Sequence, residues 1–186
     1  MKLNLGCGSN IRQGYTNLDK FDYYKPDVVH DLEILPYPFK SNSVDEILMS
    51  HVLEHIGQDP NLFNNIIKEL YRICKNGAII DIRVPHPRHD DFISDPTHVR
   101  PITILGLQLY DKELNKEWEK GGYANTPLGL IHKVNFKVLK VDYKIDEKYK
   151  KLIEEKKINN SEIQDLMHKY NNVIKEMRIE WAVIKN

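Results

Sequence analysis

Two strand-like runs joined by one amphipathic helix restrict this chain's fold more than any other feature. VDEILMS, Val44–Ser50, precedes the helix, and AIIDIRV, residues 78–84, follows it. Asp59 suits a helix N-cap and Pro60 the first helical position. Leu62, Phe63, Ile66, Ile67, Leu70, Ile73 and Cys74 then recur at helical spacing on one face. Asn76 and Gly77 are the expected stop. Strands joined through a helix are parallel neighbours, and a run as apolar as AIIDIRV suits a buried parallel strand.

The rest of the chain extends this unit. Strands are expected at Lys2–Leu5, Thr16–Asp19, 27–31, 136–143 and 179–184, with an irregular stretch at 35–39, where Pro36 and Pro38 deny ladder bonds. Strands alternating with helices imply an α/β fold with a mostly parallel seven-stranded sheet and helices on both faces. Lys/Glu-rich helical patterns over 147–157 and 161–175 read as a solvated helical insertion before the last strand, with Ser161 and Gln164 as a capping box. The 186 residues suit one domain spanning 1–186, with 147–175 as the insertion.

Composition excludes several classes. Hydrophobic residues are 41% of the chain, too many for wholesale disorder, and no apolar run is long enough to span a bilayer. The start, MKLNLGCG, lacks a signal-peptide apolar region, and two cysteines make no disulfide framework. A cytoplasmic protein with reduced thiols is expected. With 27 basic and 27 acidic residues the chain lacks the positive field of a general nucleic-acid binder.

The strongest local signal is LNLGCGSN, residues 3–10, where Gly6 and Gly8 leave bare backbone at the end of the first strand. Asp19, ending the second strand, can accept both hydroxyls of a ribose held over that turn. Asp31, ending the third, can accept from an adenine's exocyclic amine. A dinucleotide would want a third glycine and an acid about 20 residues on. Asn10 fills that glycine slot and Asp19 follows Gly6 too closely, so an adenosine ligand without phosphates fits better.

The ordered run LNLGCGSN…NLDK…VVHDLEILPYPFKSNSVDEILMSHVLEHI resembles the class I S-adenosylmethionine-dependent methyltransferases, in particular the methyltransferase-11-like group. The resemblance covers residues 3–104 well and continues weakly to the final strand. It implies a Rossmann-like fold and S-adenosyl-L-methionine as cofactor. It implies that Gly6, Cys7 and Gly8 border the cofactor's methionine part. Asp19 would hold the ribose, Asp31 with Leu32 would address the adenine, and Ser50 and His51 would lie near the sulfonium. Asn4 departs from the acid that family members usually carry in the first strand, and residues 9–14 leave room for one helical turn before the second.

VPHPRHDDFISDPTHVRP, residues 84–101, leaves the carboxyl end of the fifth strand carrying His86, His89, Asp90, Asp91, Asp95 and His98. Titratable groups converging on a cleft are functional candidates. Three readings stay open. A histidine or Asp95 deprotonates an acceptor hydroxyl as the methyl passes in line. Alternatively His86, His89, Asp90, Asp95 and His98 ligate a divalent metal. In the third, Asp95 forms an Asx-type turn and the histidines cap carbonyls. The first is preferred, with His86, Asp95 and His98 facing the acceptor, His51 at the methyl, and no metal ligands assigned.

Relatives with DPTH after the fifth strand look like modifiers of sugars or surface-glycan precursors. The resemblance therefore implies an O-methyltransferase acting on a small-molecule acceptor, a sugar or related metabolite; the balanced charge and short apolar runs lead us to expect no nucleic-acid or membrane partner, and pairing with a second copy is left open. Its alternatives are a cofactor-binding module without catalysis and a metal-dependent hydrolase. His55 is expected to pack on the helix side, His30 to flank the adenine acid or be buried, and residues 105–132, with Trp118, Tyr123 and His132, to form a lid hinged at Gly121, Gly122 and Gly129.

Overall fold

The computed structural model describes residues 1–185. Among them run seven strands: β1 Lys2–Leu5, β2 Thr16–Asp19, β3 Val28–Val29, β4 Val44–Ser50, β5 Cys74–Pro85, β6 Phe136–Ile145 and β7 Ile174–Val183. They form one sheet of order β3-β2-β1-β4-β5-β7-β6, parallel from β3 to β5, with β7 antiparallel to both neighbours. This is the mostly parallel Rossmann-like sheet that the sequence implies.

Helix α1, Pro60–Ile73, starts as expected: the Asp59 carboxylate accepts from the backbone N–H groups of Asn61 and Leu62, with Pro60 at the first position. It ends earlier than expected. Cys74 is already extended, and β5 begins there, so Asn76 and Gly77 lie inside the strand. Gly77, at φ +78°, marks an irregularity where pairing jumps from Val44–Cys74 to Glu46–Ile79. The third strand is shorter than 27–31. The Asp27 carboxylate instead accepts from the backbone and side-chain N–H groups of Asn17, at 2.7 and 2.9 Å.

The two faces of the sheet differ. Leu3, Leu5, Ile47, Met49, Ile80, Ile82, Ile179 and Trp181 share one core with Phe63, Ile66, Ile67 and Leu70 of α1. Helix α3, Ile104–Gln108, and α5, Leu128–Ile131, add Leu107 and Leu128 to it. Burying each such aliphatic side chain stabilises by about 1.5–3 kcal/mol. The opposite face carries Asn4, Asn17, Glu46, Asp81, Arg83 and Arg178, and Arg178 forks onto Asp81 at 2.9–3.2 Å. Of the helices expected on both faces, those entering the core lie on one. The connections at 6–15 and 20–27 are too short for more than turns and a single 3₁₀ turn at Asp22–Tyr24.

Helix α2, Asp90–Ile93, sits in the loop after β5, and α4, Lys112–Gly121, lies between α3 and α5. The insertion is a hairpin of α6, Glu147–Glu154, and α7, Asn160–Lys169. Its capping box uses Asn159 and Glu162 instead of Ser161 and Gln164. Its inner side forms a small core of Ile153, Ile163, Leu166 and Met167 against Ile145 and Ile174, while its charged side faces solvent. No helix among the described residues is long and apolar enough to cross a membrane.

Candidate functional site

Two clefts open at the carboxyl end of the parallel strands, and both are lined by His51 and His55. The first is built on the glycine turn. After β1 the chain turns through Gly6 at φ +63° and Gly8 at φ +49°, backbone that glycine adopts freely. A Cβ on Gly6 would stand 2.6 Å from Val52 Cγ2, so the turn packs tightly against the segment after β4. A Cβ on Gly8 would meet open space. Asn4 ties the turn from beneath, donating to the Asn10 carbonyl and to Asn17 Oδ1 at 2.8 and 2.9 Å. An acid in its place could make neither bond.

Asp19 closes the turn from β2. Its Oδ2 accepts from the Gly8 N–H at 2.8 Å and its Oδ1 from the Phe21 N–H at 2.9 Å. Each oxygen keeps a second lone pair. Asp31 lies two residues past β3, with Oδ1 accepting from the Glu33 N–H at 2.9 Å. The resulting cleft is about 590 Å³. Gly6, Asp19, Asp31, Leu32 and His51 line it; Cys7, Gly8 and Ser50 do not. Cys7 is buried, and burial with the nearby Asp19 charge pushes its thiol pKa up, away from nucleophilic character.

The sequence reading missed several residues of this wall. Phe21 and Tyr24 stand at its rim, more than a third exposed, and Ile56 and Thr97 complete it. The exposed aromatic run directly after Asp19 is the signal that could have found the first two. His30 does flank Asp31 in the lining. His55 does not pack on the helix side: it turns into both clefts because Leu53–His55 is a 3₁₀ turn and α1 starts only at Pro60.

The second cleft, about 350 Å³, is lined mainly by charged and imidazole side chains from three separate segments. His51 occupies the left-handed region at φ +56°, strained backbone for a residue with a Cβ. Its Nε2 lies 2.9 Å from Glu176 Oε2, and its Nδ1 lies 3.4 Å from Glu54 Oε1. The Glu54 carboxylate raises its pKa, burial opposes this, and Glu176 adds to the rise. Neither glutamate is signalled by a local motif. Glu176 arrives only because antiparallel pairing sets it opposite Pro85.

Asp95 and His98 line this cleft, as do Asp91 and Lys175. Asp95 also makes the Asx-type turn, accepting at Oδ1 from the Thr97 N–H and Oγ–H at 2.8 and 2.6 Å, and these bonds hold its carboxyl below the usual range. His98 stacks on Phe92, with ring centroids 5.2 Å apart, and its Nδ1–H donates to the Phe92 carbonyl at 2.7 Å.

His86 lines neither cleft. Its Nδ1 accepts from the Arg88 N–H at 3.2 Å, and burial lowers its pKa. His89 caps α2 by accepting from the Asp91 N–H, with its other nitrogen 3.3 Å from Asp146 Oδ2. Arg88 anchors the loop to the insertion through the Met167 carbonyl and Asn171, at 3.1 and 3.2 Å. Residues 105–132 line neither cleft; they pack against α1 and β6. A Cβ on Gly129 would stand 2.9 Å from the Tyr110 carbonyl, so that glycine marks close packing and not a hinge.

A family model described as a methyltransferase domain matches residues 8–82. Among curated proteins none matches the chain. Among solved structures it is similar to a SAM-dependent methyltransferase from Archaeoglobus fulgidus, at 18% identity and a TM-score of 0.63, covering 97% of this chain and 85% of that one. A SAM-dependent methyltransferase from Methanosarcina mazei is similar at 17% identity and 0.51, covering 99% and 92%. Phosphoethanolamine N-methyltransferase 2 of Haemonchus contortus, solved with S-adenosyl-L-methionine, is similar at 14% identity and 0.51, covering 100% of this chain and 48% of that one. The resemblance read in the sequence thus holds in the family signature over 8–82, and at these identities the structural likeness shows the fold.

Proposed function

We propose, from the premise that the chain carries the class I methyltransferase fold and a methyltransferase-domain signature over residues 8–82, that it binds S-adenosyl-L-methionine and methylates a hydroxyl of a sugar or glycan precursor. One observation carries this reading: a cleft lined by the bare backbone of Gly6 and bordered by Asp19 and Asp31 shares His51 and His55 with a second cleft lined by Asp95, His98 and Glu176.

The residues of the first cleft fit an adenosyl ligand. Gly6 brings bare backbone to the cleft wall, and no helix N-terminus follows the turn to hold a pyrophosphate. Asp19 offers its remaining lone pairs to ribose hydroxyls, and Asp31 offers Oδ2 to an exocyclic amine beside Leu32. Cys7 and Gly8 contribute backbone beside the methionine part, and Ser50 ends β4 next to His51. Bound there, the cofactor supplies a methyl group already activated on a sulfonium.

On the chain's side the task is positioning and proton removal. His51 stands between the clefts; where an acceptor hydroxyl takes the place of Glu176 at Nε2, that nitrogen can receive its proton, with Glu54 beside Nδ1 to hold the resulting charge. Asp95 and His98 form the acceptor wall. His86 acts one step back, fixing the loop through Arg88. A sugar hydroxyl suits a wall of carboxylates and imidazoles better than an apolar acceptor does. The two buried free thiols fit a reducing, cytoplasmic setting. Labelled methyl donor offered with nucleotide sugars and phosphosugars tests the reading. Label in a sugar acceptor supports it; binding of S-adenosylhomocysteine without transfer to any of them leaves a binding module.

A further inference from the structure

Glu54 is the anomaly of the molecule. Its side chain is 0% exposed, and neither carboxylate oxygen has a hydrogen-bond partner. Among the described residues its only ion-pair neighbour is His51 Nδ1, at 3.4 Å. Burying a carboxylate without partners is costly, and buried charges are ordinarily paired or coordinate metals. Two histidines stand beside it: one donor atom from each of Glu54, His55 and His98 lies within 4.8 Å of the others.

Hydrogen bonding fixes which nitrogen each histidine has to offer. Thr97 Oγ–H donates to the Asp95 carboxylate, so Thr97 Oγ accepts from His55 Nδ1–H at 2.9 Å. A carbonyl only accepts, so His98 Nδ1–H donates to Phe92 O at 2.7 Å. In both rings Nδ1 is thereby committed to an oxygen, which leaves Nε2 as the nitrogen free to ligate; that of His98 lies 3.8 Å from Asp95 Oδ2. A metal-ligating imidazole is ordinarily held this way, with its other nitrogen oriented by an oxygen. The rings meet edge-on with centroids 4.5 Å apart.

The geometry points to a divalent transition-metal site formed by Glu54, His55 and His98. Two imidazoles and one carboxylate suit zinc or iron(II), not calcium or magnesium, and this donor set leaves coordination positions open. His55 borders both clefts and His98 the second, so the open positions face the space assigned to the acceptor. They would take paired oxygens, such as a vicinal diol. That use rests on the proposed methyl transfer; the binding itself does not.

Cobalt(II) titrated into the purified chain without methyl donor, read by its visible d–d absorption, tests the site separately from catalysis. The expected result is one equivalent bound per chain, with bands lost in Glu54→Gln and His98→Ala and kept in His168→Ala, an exposed histidine on α7. Thr97→Val, which removes the bond orienting His55, should weaken binding roughly 10–100-fold. Circular dichroism checks each variant's fold, and His98→Ala with Thr97→Val carries the test should Glu54→Gln misfold. No stoichiometric band, or a band unchanged in Glu54→Gln and His98→Ala, overturns the site. Failure there with methyl transfer intact leaves the proposed function standing.

Discussion

The two clefts meet at His51 and His55 yet are built in opposite ways. The first rests on main chain: a turn and the tips of neighbouring parallel strands, with main-chain donors committed to Asp19 before any ligand arrives. The second is assembled from the 3₁₀ turn at Leu53–His55, the loop at 86–98 and the antiparallel strand β7, and its polar groups lean on one another. Preorganised backbone suits a ligand that must always sit in one place. Mutually dependent side chains suit a site where small changes tune the chemistry.

The sharpest way to break the comparison is His51→Gln. Losing a group that moves a proton should cut turnover by about 10²–10⁴-fold. S-adenosylhomocysteine affinity should change little, measured by calorimetry beside initial rates. Equal loss of both would mean the clefts do not divide donor from acceptor.

Gly6→Ala attacks the first cleft. It combines positive φ with a Cβ 2.6 Å from Val52, so stability should fall by about 2–4 kcal/mol in denaturant titration. Gly8→Ala, with positive φ but open space, should cost only about 1–2 kcal/mol.

Asn159→Ala sharpens the other side. Removing the cap of α7 should cost about 1 kcal/mol, and Ser161→Ala close to none. Because α7 buttresses the loop at 86–98, Asn159→Ala should slow transfer more than it weakens cofactor binding.

The smallest effect is pH-dependent. Burial depresses the His86 pKa in the folded chain, so the unfolded chain binds that proton more readily. Stability is then lost as pH falls below about 6.5, and His86→Gln should flatten part of that slope in acid titration.

The same division decides what could be read from the sequence. The βαβ unit and the glycine turn were legible because periodicity and turn chemistry mark them, and the sequence order alone puts Asp19 and Asp31 at or just past the next two strand tips. The end of α1 was not: Asn76–Gly77 has the chemistry of a helix stop, but pairing of Cys74 with Val44 draws the chain into the strand first. The lid failed because Gly129 looks like a hinge in sequence and is a packing contact in space. Glu54 and Glu176 were invisible. Their roles come from positions far apart in sequence, and nothing within LEHI or KEMR marks a buried or bridging carboxylate.

The most direct test is calorimetric titration of S-adenosylhomocysteine into the wild-type chain and Asp19→Ala, both shown folded by circular dichroism. Saturable one-site binding that disappears in the variant is the predicted result. A folded wild-type chain that takes up no ligand, or a variant that binds as well as wild type, contradicts the assignment of the glycine-floored cleft.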